Sequence, residues 1–170
     1  MIFEVVSLAE WLSILEYRAE LSDFGIETSF GVFHARSWST KLPLNFVHLL
    51  LRSLESSDIS KLRFCVHPNP DEIMQITYLA FKAPYKDRIH KHPNRPEVIL
   101  PLSGEAIHSC YDSSGLKLSQ SLLTGNDPSS LSTEVGVWHS LEIITPFFVM
   151  LEIGSGPFRQ DSTVFLGDEN

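Results

Sequence analysis

The sequence contains few of the features that mark secreted or membrane-bound proteins. Its 170 residues include two cysteines, Cys65 and Cys110, which are too few for a disulfide framework. No apolar run approaches the ~20 residues that a membrane-spanning helix requires. The first residues, Met-Ile-Phe-Glu-Val-Val, lack the basic region and the long apolar stretch of a signal peptide. These absences predict a cytoplasmic protein that does not associate with a membrane.

Positive charge and nucleophile motifs are also scarce. The chain has 13 Lys and Arg against 21 Asp and Glu, a net charge of −8. This balance argues against non-specific nucleic-acid binding, because that binding requires a positive surface. The sequence has no Gly-x-Ser-x-Gly nucleophile elbow and no glycine-rich phosphate loop. It is 43% hydrophobic and long enough for one globular domain with a sizeable core.

Two helices and an extended segment are predicted over residues 1–60. Ser7-Leu-Ala-Glu10 has the form of a capping box, and the helical spacing of the apolar residues that follow predicts a helix over residues 8–20. Residues 24–38 are rich in β-branched and aromatic types, which is typical of a strand or an extended arm. Pro43 can begin a second helix at its first position. The predicted apolar face of that helix contains Leu44, Val47, Leu51 and Leu54. We expect this N-terminal segment to pack on the domain that follows it.

From residue 61 onward the pattern changes to short β segments separated by turns. The predicted strands cover residues 62–66, 72–83, 97–102, 105–111, 116–123, 131–135, 138–144 and 147–153. Ser103-Gly104 is a tight-turn signal between two of them. Many short strands at near-regular spacing predict a mainly β domain, a sandwich or a barrel, over residues 61–160. Residues 161–170 are predicted to form a C-terminal tail.

A candidate metal site begins with two histidines and a glutamate. His90 and His92 are two positions apart, so their side chains point to the same face if the backbone is extended. Glu97 follows after a four-residue gap that contains two prolines, and it can return to that face from a neighbouring strand. Two imidazoles and one carboxylate are good ligands for a divalent transition metal. His139 is the predicted fourth ligand.

These four residues resemble the ligand motifs of the cupin superfamily. The first motif has the form His-x-His, Glu, Gly, and the residues that match it are His90, His92, Glu97 and Gly104. The second motif has the form Pro-x-Gly-x-x-His, and it is matched by Gly136 and His139, with Glu134 in place of the proline. A glycine usually stands six residues before the first histidine, and here that residue is Pro84. Both departures are at turn positions rather than at ligands.

Further segments look like those of the WbuC-type cupin-fold metalloproteins, which are encoded in bacterial loci for O-antigen polysaccharide biosynthesis. The similar segments are residues 63–67, 85–92, 111–115, 136–139 and 152–158. The resemblance covers roughly residues 60–158. It implies a cupin-type β-barrel (a jelly roll of two packed sheets) with one bound metal, preceded here by the two N-terminal helices. It does not bring a settled reaction.

Two residues are candidates for moving a proton. Glu152 lies among apolar residues, so it is either a buried carboxyl with a raised pKa or the outward-facing residue of an edge strand. His67 either hydrogen-bonds to a ligand or substrate, or is a solvated residue of the turn that follows it. The sequence leaves both alternatives open.

Four other residues are candidates for binding substrate. Tyr85 and Arg88 precede the metal histidines and could reach an anionic or hydroxylated substrate, although an exposed strand edge explains them equally well. Arg63 shares a strand and its side-chain parity with Cys65. His108 lies in a predicted strand and lines either the core or the cavity. We expect these side chains to surround the metal site.

These features predict a metal-binding protein that acts on a small polar molecule, and the resemblance points to a sugar or nucleotide-sugar in surface-polysaccharide biosynthesis. The predicted reaction is an isomerisation or epimerisation, in which the metal polarises an oxygen and a cavity group moves a proton. An Fe(II)-dependent dioxygenase and a non-catalytic metal- or carbohydrate-binding module are the alternatives. The ligand set does not distinguish Fe, Zn, Ni and Mn. Because edge strands of cupin barrels often pair, we also expect a homodimer, with residues 1–6 or 24–36 exchanged.

Overall fold

A computed structural model describes residues 20–127 and 129–168, except for the side chain of Gln160. The helix predicted over residues 8–20 therefore lies almost wholly outside the described residues. Within them, the α-helix with defined ends is α1 (Phe46–Glu55), and residues 20–24 are also helical. A short 3-10 helix covers Gln160–Ser162. Among these described helices, none has both the length and the apolar character needed to cross a membrane.

Twelve strands are the main regular elements of the described residues. In chain order they are β1 (Gly25–Ser29), β2 (Val32–Ala35), β3 (Lys61–Cys65), β4 (Met74–Lys82), β5 (His90–Lys91), β6 (Glu97–Ser103), β7 (Glu105–Tyr111), β8 (Lys117–Thr124), β9 (Leu131–Thr133), β10 (Trp138–Ile143), β11 (Phe147–Ser155) and β12 (Val164–Phe165). The eight strands predicted after residue 61 are all present, with ends that differ by a few residues. The short strands β5 and β12 were not predicted.

The strands form two sheets. A seven-stranded sheet has the order β1-β2-β3-β4-β11-β6-β9, and a five-stranded sheet has the order β12-β5-β10-β7-β8. All pairs are antiparallel except β2 with β3, which run parallel. The tight turn between β6 and β7 links the two sheets and contains Gly104, whose φ of 76° is disfavoured for residues with a side chain. This mainly β, two-sheet architecture confirms the predicted fold class.

Two apolar layers hold the sheets and the helix together. Between the sheets, Phe81 and Phe148 of the larger sheet pack with Leu141 of the smaller one. On the outer face of the larger sheet, Leu50 and Leu54 of α1 pack into a second cluster with the sheet. The larger sheet is therefore buried on both faces over part of its area. This explains why β4 carries apolar residues at consecutive positions rather than in strict alternation.

The structure corrects the predicted face of the second helix. The chain makes a turn after Pro43, and α1 begins at Phe46. Leu44 is consequently fully exposed, although it was assigned to the apolar face. The buried residues of α1 are Phe46, Leu49, Leu50, Ser53 and Leu54. A helix is present as predicted, but Leu44 lies before its first residue, and Val47 and Leu51 are only partly buried at the edge of its apolar face.

Both ends of the described chain are built into the barrel. Strands β1 and β2 extend the larger sheet, because β2 pairs with β3. The stretch at 24–36, one of the two segments predicted to be exchanged in a homodimer, contains a β-hairpin in this chain, and the exchange itself stays a prediction. The other segment, residues 1–6, lies outside the described residues. At the other end, β12 pairs with β5. The region predicted as a tail therefore adds a strand beside His90.

Candidate metal centre

Strand pairing brings the three predicted histidine ligands together. His90 on β5 lies directly opposite His139 on β10, and His92 follows two positions after His90. One donor atom from each of the three rings lies within 4.8 Å of the other two. His92 and His139 are buried, at 5% and 4% exposure. The three imidazoles thus converge as predicted from the His-x-His spacing.

Backbone carbonyl groups orient all three rings. The Nδ1 atom of His90 lies 2.8 Å from the carbonyl oxygen of Arg88. His92 Nδ1 lies 2.8 Å from Ser162 O, and His139 Nδ1 lies 2.9 Å from Val137 O. A neutral ring that donates its Nδ1–H to a carbonyl keeps a lone pair on Nε2, which is the usual arrangement of a metal-binding histidine. The three Nε2 atoms therefore carry the lone pairs that a metal ion would use.

Glu97 brings its carboxylate to two of these Nε2 atoms from the opposite sheet. Its Oε1 lies 2.8 Å from His92 Nε2, and its Oε2 lies 3.5 Å from His139 Nε2. When each Nδ1–H donates to a carbonyl group, each of these contacts places a lone pair of Nε2 opposite a lone pair of a carboxylate oxygen. A proton or a metal cation between the atoms resolves this opposition. The donor set of three imidazoles and one carboxylate therefore fits a divalent transition metal.

Electrostatics in the group favour one protonated imidazole. Burial alone would raise the pKa of Glu97, but hydrogen bonds from His139 and His92 lower it overall. Burial alone would lower the pKa of His139, but the bond to Glu97 raises it. Burial and the neighbouring His139 lower the pKa of His90 to about 4. Without a metal, the Glu97 carboxylate favours a proton on His139, whereas burial and the neighbouring His139 disfavour a proton on His90.

His108 lies against the metal group rather than in the open cavity. Its ring stacks on that of His139, with centroids 5.4 Å apart. Its Nε2 lies 3.3 Å from the Thr133 hydroxyl, and the residue is 3% exposed. Burial and His139 lower its pKa to about 4, so the ring is neutral. Of the two alternatives for His108, the core or the cavity, the structure shows the cavity wall, where the ring lies behind His139.

Arg95 connects Glu97 to Glu152. Its Nη2 atom lies 2.9 Å from Glu97 Oε1 and 3.6 Å from Glu152 Oε1. Strand β11 lies inside the larger sheet, between β4 and β6, so Glu152 is not on an edge strand. Burial, followed by the charge of Glu97, raises the pKa of Glu152. The structure therefore shows the first alternative, a carboxyl group with a raised pKa, and Glu152 lines the cavity.

The substrate-binding candidates line one cavity of about 820 Å³. Tyr85 donates a 2.7 Å hydrogen bond to Asp87, and burial raises the pKa of its phenol. Arg88 is held at the rim by a 2.9 Å ion pair with Asp168. Arg63 is exposed and contributes a cation to the lining. The cavity also contains the four metal-site residues.

The lining also includes titratable residues that the sequence analysis did not single out, among them His34, Lys61, Asp87 and Arg95. Lys61 has the same strand parity as Arg63, so alternation was a signal that could have found it. Its pKa is lowered by burial and then by the charge of Arg63. Arg95 stands in the gap between His92 and Glu97, where nothing local indicates its direction.

Cys65 and His67 lie on the wall of the cavity beside His34. The rings of His67 and His34 are 5.2 Å apart in an edge-on arrangement. Burial lowers the pKa of His67 and raises that of Cys65 to about 11. His67 is 2% exposed, so it is not the solvated turn residue of the second alternative.

Comparisons with known proteins show the fold. No protein-family model and no curated protein matches the sequence. The chain is similar to the capsular polysaccharide assembling protein CapF from Staphylococcus aureus, with 18% identity and a TM-score of 0.57 over 95% of this chain and 48% of CapF. The structure of CapF with the inhibitor 3-isopropenyl-tropolone has 17% identity to this chain and a TM-score of 0.56, again over 95% of this chain and 48% of CapF. An oxalate decarboxylase from Lactobacillus farciminis has 16% identity and a TM-score of 0.47 over 56% of this chain and 27% of that enzyme.

This chain spans about half the length of CapF. The similarity to CapF extends over nearly the whole chain and includes both sheets. Together with the observed topology, it confirms the predicted jelly roll. The protein has a cupin-type β-barrel fold, with a three-histidine group of metal-site geometry in its cavity.

Proposed function

We propose that this protein is a metal-dependent enzyme that moves a proton on a sugar or nucleotide-sugar, in an isomerase or epimerase reaction. The observation that carries the proposal is the link through Arg95. This guanidinium joins Glu97, beside the histidine donors, to Glu152, a carboxyl group with a raised pKa. A metal-binding group and a proton carrier therefore face one cavity.

The four predicted ligands would hold one divalent metal ion: His90, His92, Glu97 and His139. When bound, such an ion polarises a carbonyl or hydroxyl oxygen of the substrate. Arg95 holds the Glu97 carboxylate in place, and the carbonyl groups behind the rings hold the imidazoles. Four protein ligands leave room for substrate in a five- or six-coordinate site. Fe, Zn, Ni and Mn all suit this donor set.

Glu152 is the proton carrier in this proposal. A carboxylate with a raised pKa is a stronger base than an exposed one, and it can take a proton from a carbon beside a carbonyl group. The same carboxyl group returns the proton to the neighbouring carbon in an isomerisation. Lys61, whose pKa burial lowers, faces the same cavity and can supply the second group that an epimerisation requires. His67 packs against His34 instead, so we assign proton transfer to Glu152.

The cavity lining supports a polar, anionic substrate. Arg63, Arg88 and Lys61 contribute cations, and these bind phosphate or carboxylate groups through charge-assisted hydrogen bonds. A cavity of about 820 Å³ is within the range of sites for small molecules and cofactors. CapF assembles capsular polysaccharide by its description, and the WbuC-type resemblance points to O-antigen loci. Both support a substrate from surface-polysaccharide biosynthesis.

The test is proton exchange in deuterated water. Purified protein with its metal content measured is incubated with a panel of nucleotide-sugars, and NMR detects deuterium at a carbon beside a carbonyl or a new epimer. Glu152→Gln should slow this exchange by at least about 100-fold and leave the metal content unchanged. Glu142→Gln, the same change at an exposed glutamate of β10, is the matched control.

Other results would replace the proposal. Iron in the protein with substrate-dependent oxygen uptake would identify a dioxygenase. Saturable sugar binding with no turnover would identify a binding module. If the protein contained no metal and took none up, the metal-dependent mechanism would be wrong.

A further inference from the structure

A second group of metal-binding residue types lies on the larger sheet. In the parallel pair of β2 and β3, His34 stands directly opposite Cys65, so the two side chains share a face. His67 follows two positions after Cys65 and faces the same way. All three residues are buried, at 8%, 6% and 2% exposure, and all three line the cavity. None of them belongs to the first metal group.

The three donor atoms are close enough for one ion. One donor atom from each residue lies within 4.8 Å of the other two. Zinc ligands at ~2.0–2.3 Å in a tetrahedral arrangement are about 3.3–3.8 Å apart. Side-chain rotations of about an ångström therefore close the site without moving either strand.

Backbone carbonyl groups hold both rings from behind, as in the first group. His34 Nδ1 lies 3.2 Å from the carbonyl oxygen of His67, and His67 Nδ1 lies 3.1 Å from that of Ile76. The Ile76 amide nitrogen is also 3.1 Å from His67 Nδ1, so this ring can adopt either tautomer. A metal selects the tautomer with Nδ1–H, which donates to the Ile76 carbonyl. Both Nε2 lone pairs are then available to the ion.

We propose that His34, Cys65 and His67 form a second metal site, which binds a zinc-class transition-metal ion through two imidazole nitrogens and one thiolate sulfur. The sulfur–metal bond forms as the thiol proton leaves to solvent. Sulfur with nitrogen is a set that favours Zn(II) or copper over Mg(II) and Ca(II). Three protein ligands leave the fourth position open, and it faces the cavity. Water or an anionic substrate group can occupy that position.

The thiolate is the essential ligand because Cys65 is the member of the group that can carry a negative charge. Lys61 and Arg63 precede Cys65 at the same strand parity and line the same cavity. Both oppose a bound cation, and neutral imidazoles do not offset them. The negative sulfur does, so the site depends on Cys65 more than on either ring.

The test uses Co(II) as the probe, because a thiolate bound to Co(II) gives a charge-transfer band that nitrogen and oxygen ligands do not give. The full chain is reduced, freed of metal with a chelator and titrated with cobalt chloride. Wild type should bind two equivalents and develop the band. His90→Ala should lose one equivalent and keep the band. Cys65→Ser should keep one equivalent and lose the band.

Cys110→Ser is the matched control. Cys110 is the other cysteine, and its sulfur lies 3.9 Å from His108 Nδ1, behind the first group. This variant should keep both equivalents and the band. If Cys65→Ser does not fold, as judged by circular dichroism, His34→Gln takes its place and should weaken or abolish the band.

Three results would overturn the second site: no band in folded wild type, a band that survives Cys65→Ser, or a band that disappears in Cys110→Ser. A wild-type protein that shows the band but binds a single equivalent would leave the second site standing. That result would remove the first metal from the proposed function instead. The two proposals therefore fail separately.

Discussion

Glu97 is a buried negative charge that should stabilise the fold around the candidate metal centre even when no metal is bound. The residue is 4% exposed, and its Oε1 lies 2.9 Å from the Arg95 guanidinium. The Arg95 side chain is itself 11% exposed. The substitution Glu97→Gln keeps the shape of the side chain and removes its charge. Among the residues that the structure describes, Arg95 then retains one carboxylate partner, Glu152, at 3.6 Å.

The size of the effect follows from burial. Removing one partner of a buried ion pair typically costs about 3–5 kcal/mol, because the other charge is left uncompensated. The glutamine carbonyl still accepts a hydrogen bond from Arg95, so we expect a loss of about 3 kcal/mol in the free energy of unfolding. For a chain of this length, 1 kcal/mol shifts the melting temperature by about 2–4 °C. The metal-free variant should therefore melt about 6–12 °C below metal-free wild type.

Thermal unfolding of chelator-treated protein, followed by circular dichroism at pH 7, measures this difference. Glu142→Gln is the control, because Glu142 forms an exposed pair with Lys86 at 2.8 Å and should leave the melting temperature unchanged. Equal melting temperatures for metal-free Glu97→Gln and wild type would refute the reasoning. Glu97 would then have no part in holding Arg95, and its role would be limited to the metal.

Three other changes have predictable outcomes in the same assay. A metal ion at 100 times the dissociation constant of the His90 site should stabilise wild type by about 2.7 kcal/mol through that site, and His90→Ala should remove most of this contribution while leaving that of the second site. Glu152→Gln should raise the melting temperature at pH 7 while removing activity. The pKa of Glu152 in the folded state is raised above 4.5, so its contribution to stability is present below pH 4.5 and lost as pH rises through the folded-state pKa. The higher melting temperature of Glu152→Gln should therefore disappear in acid. Gly104→Ala should cost at least about 2 kcal/mol in unfolding free energy, because the left-handed backbone disfavours a side chain and the new Cβ would meet the Phe147 carbonyl. Equal unfolding curves for wild type and Gly104→Ala would contradict the turn geometry.

Local sequence patterns predicted the parts of the fold that local physics determines. Strand alternation and the Ser103-Gly104 turn placed β6 and β7 almost to the residue. The two-residue spacing of His90 and His92 predicted that both would face one cavity. In each case the backbone geometry alone sets the direction of the side chain.

Residues whose positions depend on distant pairing could not be predicted in this way. Glu152 was open to two interpretations because nothing in its own strand shows that β11 lies between β4 and β6. His34 received no role, since its partner Cys65 is 31 positions away and meets it only through a parallel pairing of β2 with β3. Strand β5 has two residues, too few for a periodicity to appear.

The C-terminal segment shows how such distant pairing serves the metal centre. The carbonyl of Ser162 accepts the hydrogen bond that sets the His92 ring, 70 positions earlier in the chain. Strand β12 pairs with β5, so Phe165 lies beside His90. One of the three imidazoles is therefore oriented by a carbonyl group, and a second is flanked by a ring, from a stretch that has little apolar sequence pattern of its own. The carbonyl groups beside His90 and His139 lie two positions away in the chain, whereas the one beside His92 comes from a segment that only the fold brings to it.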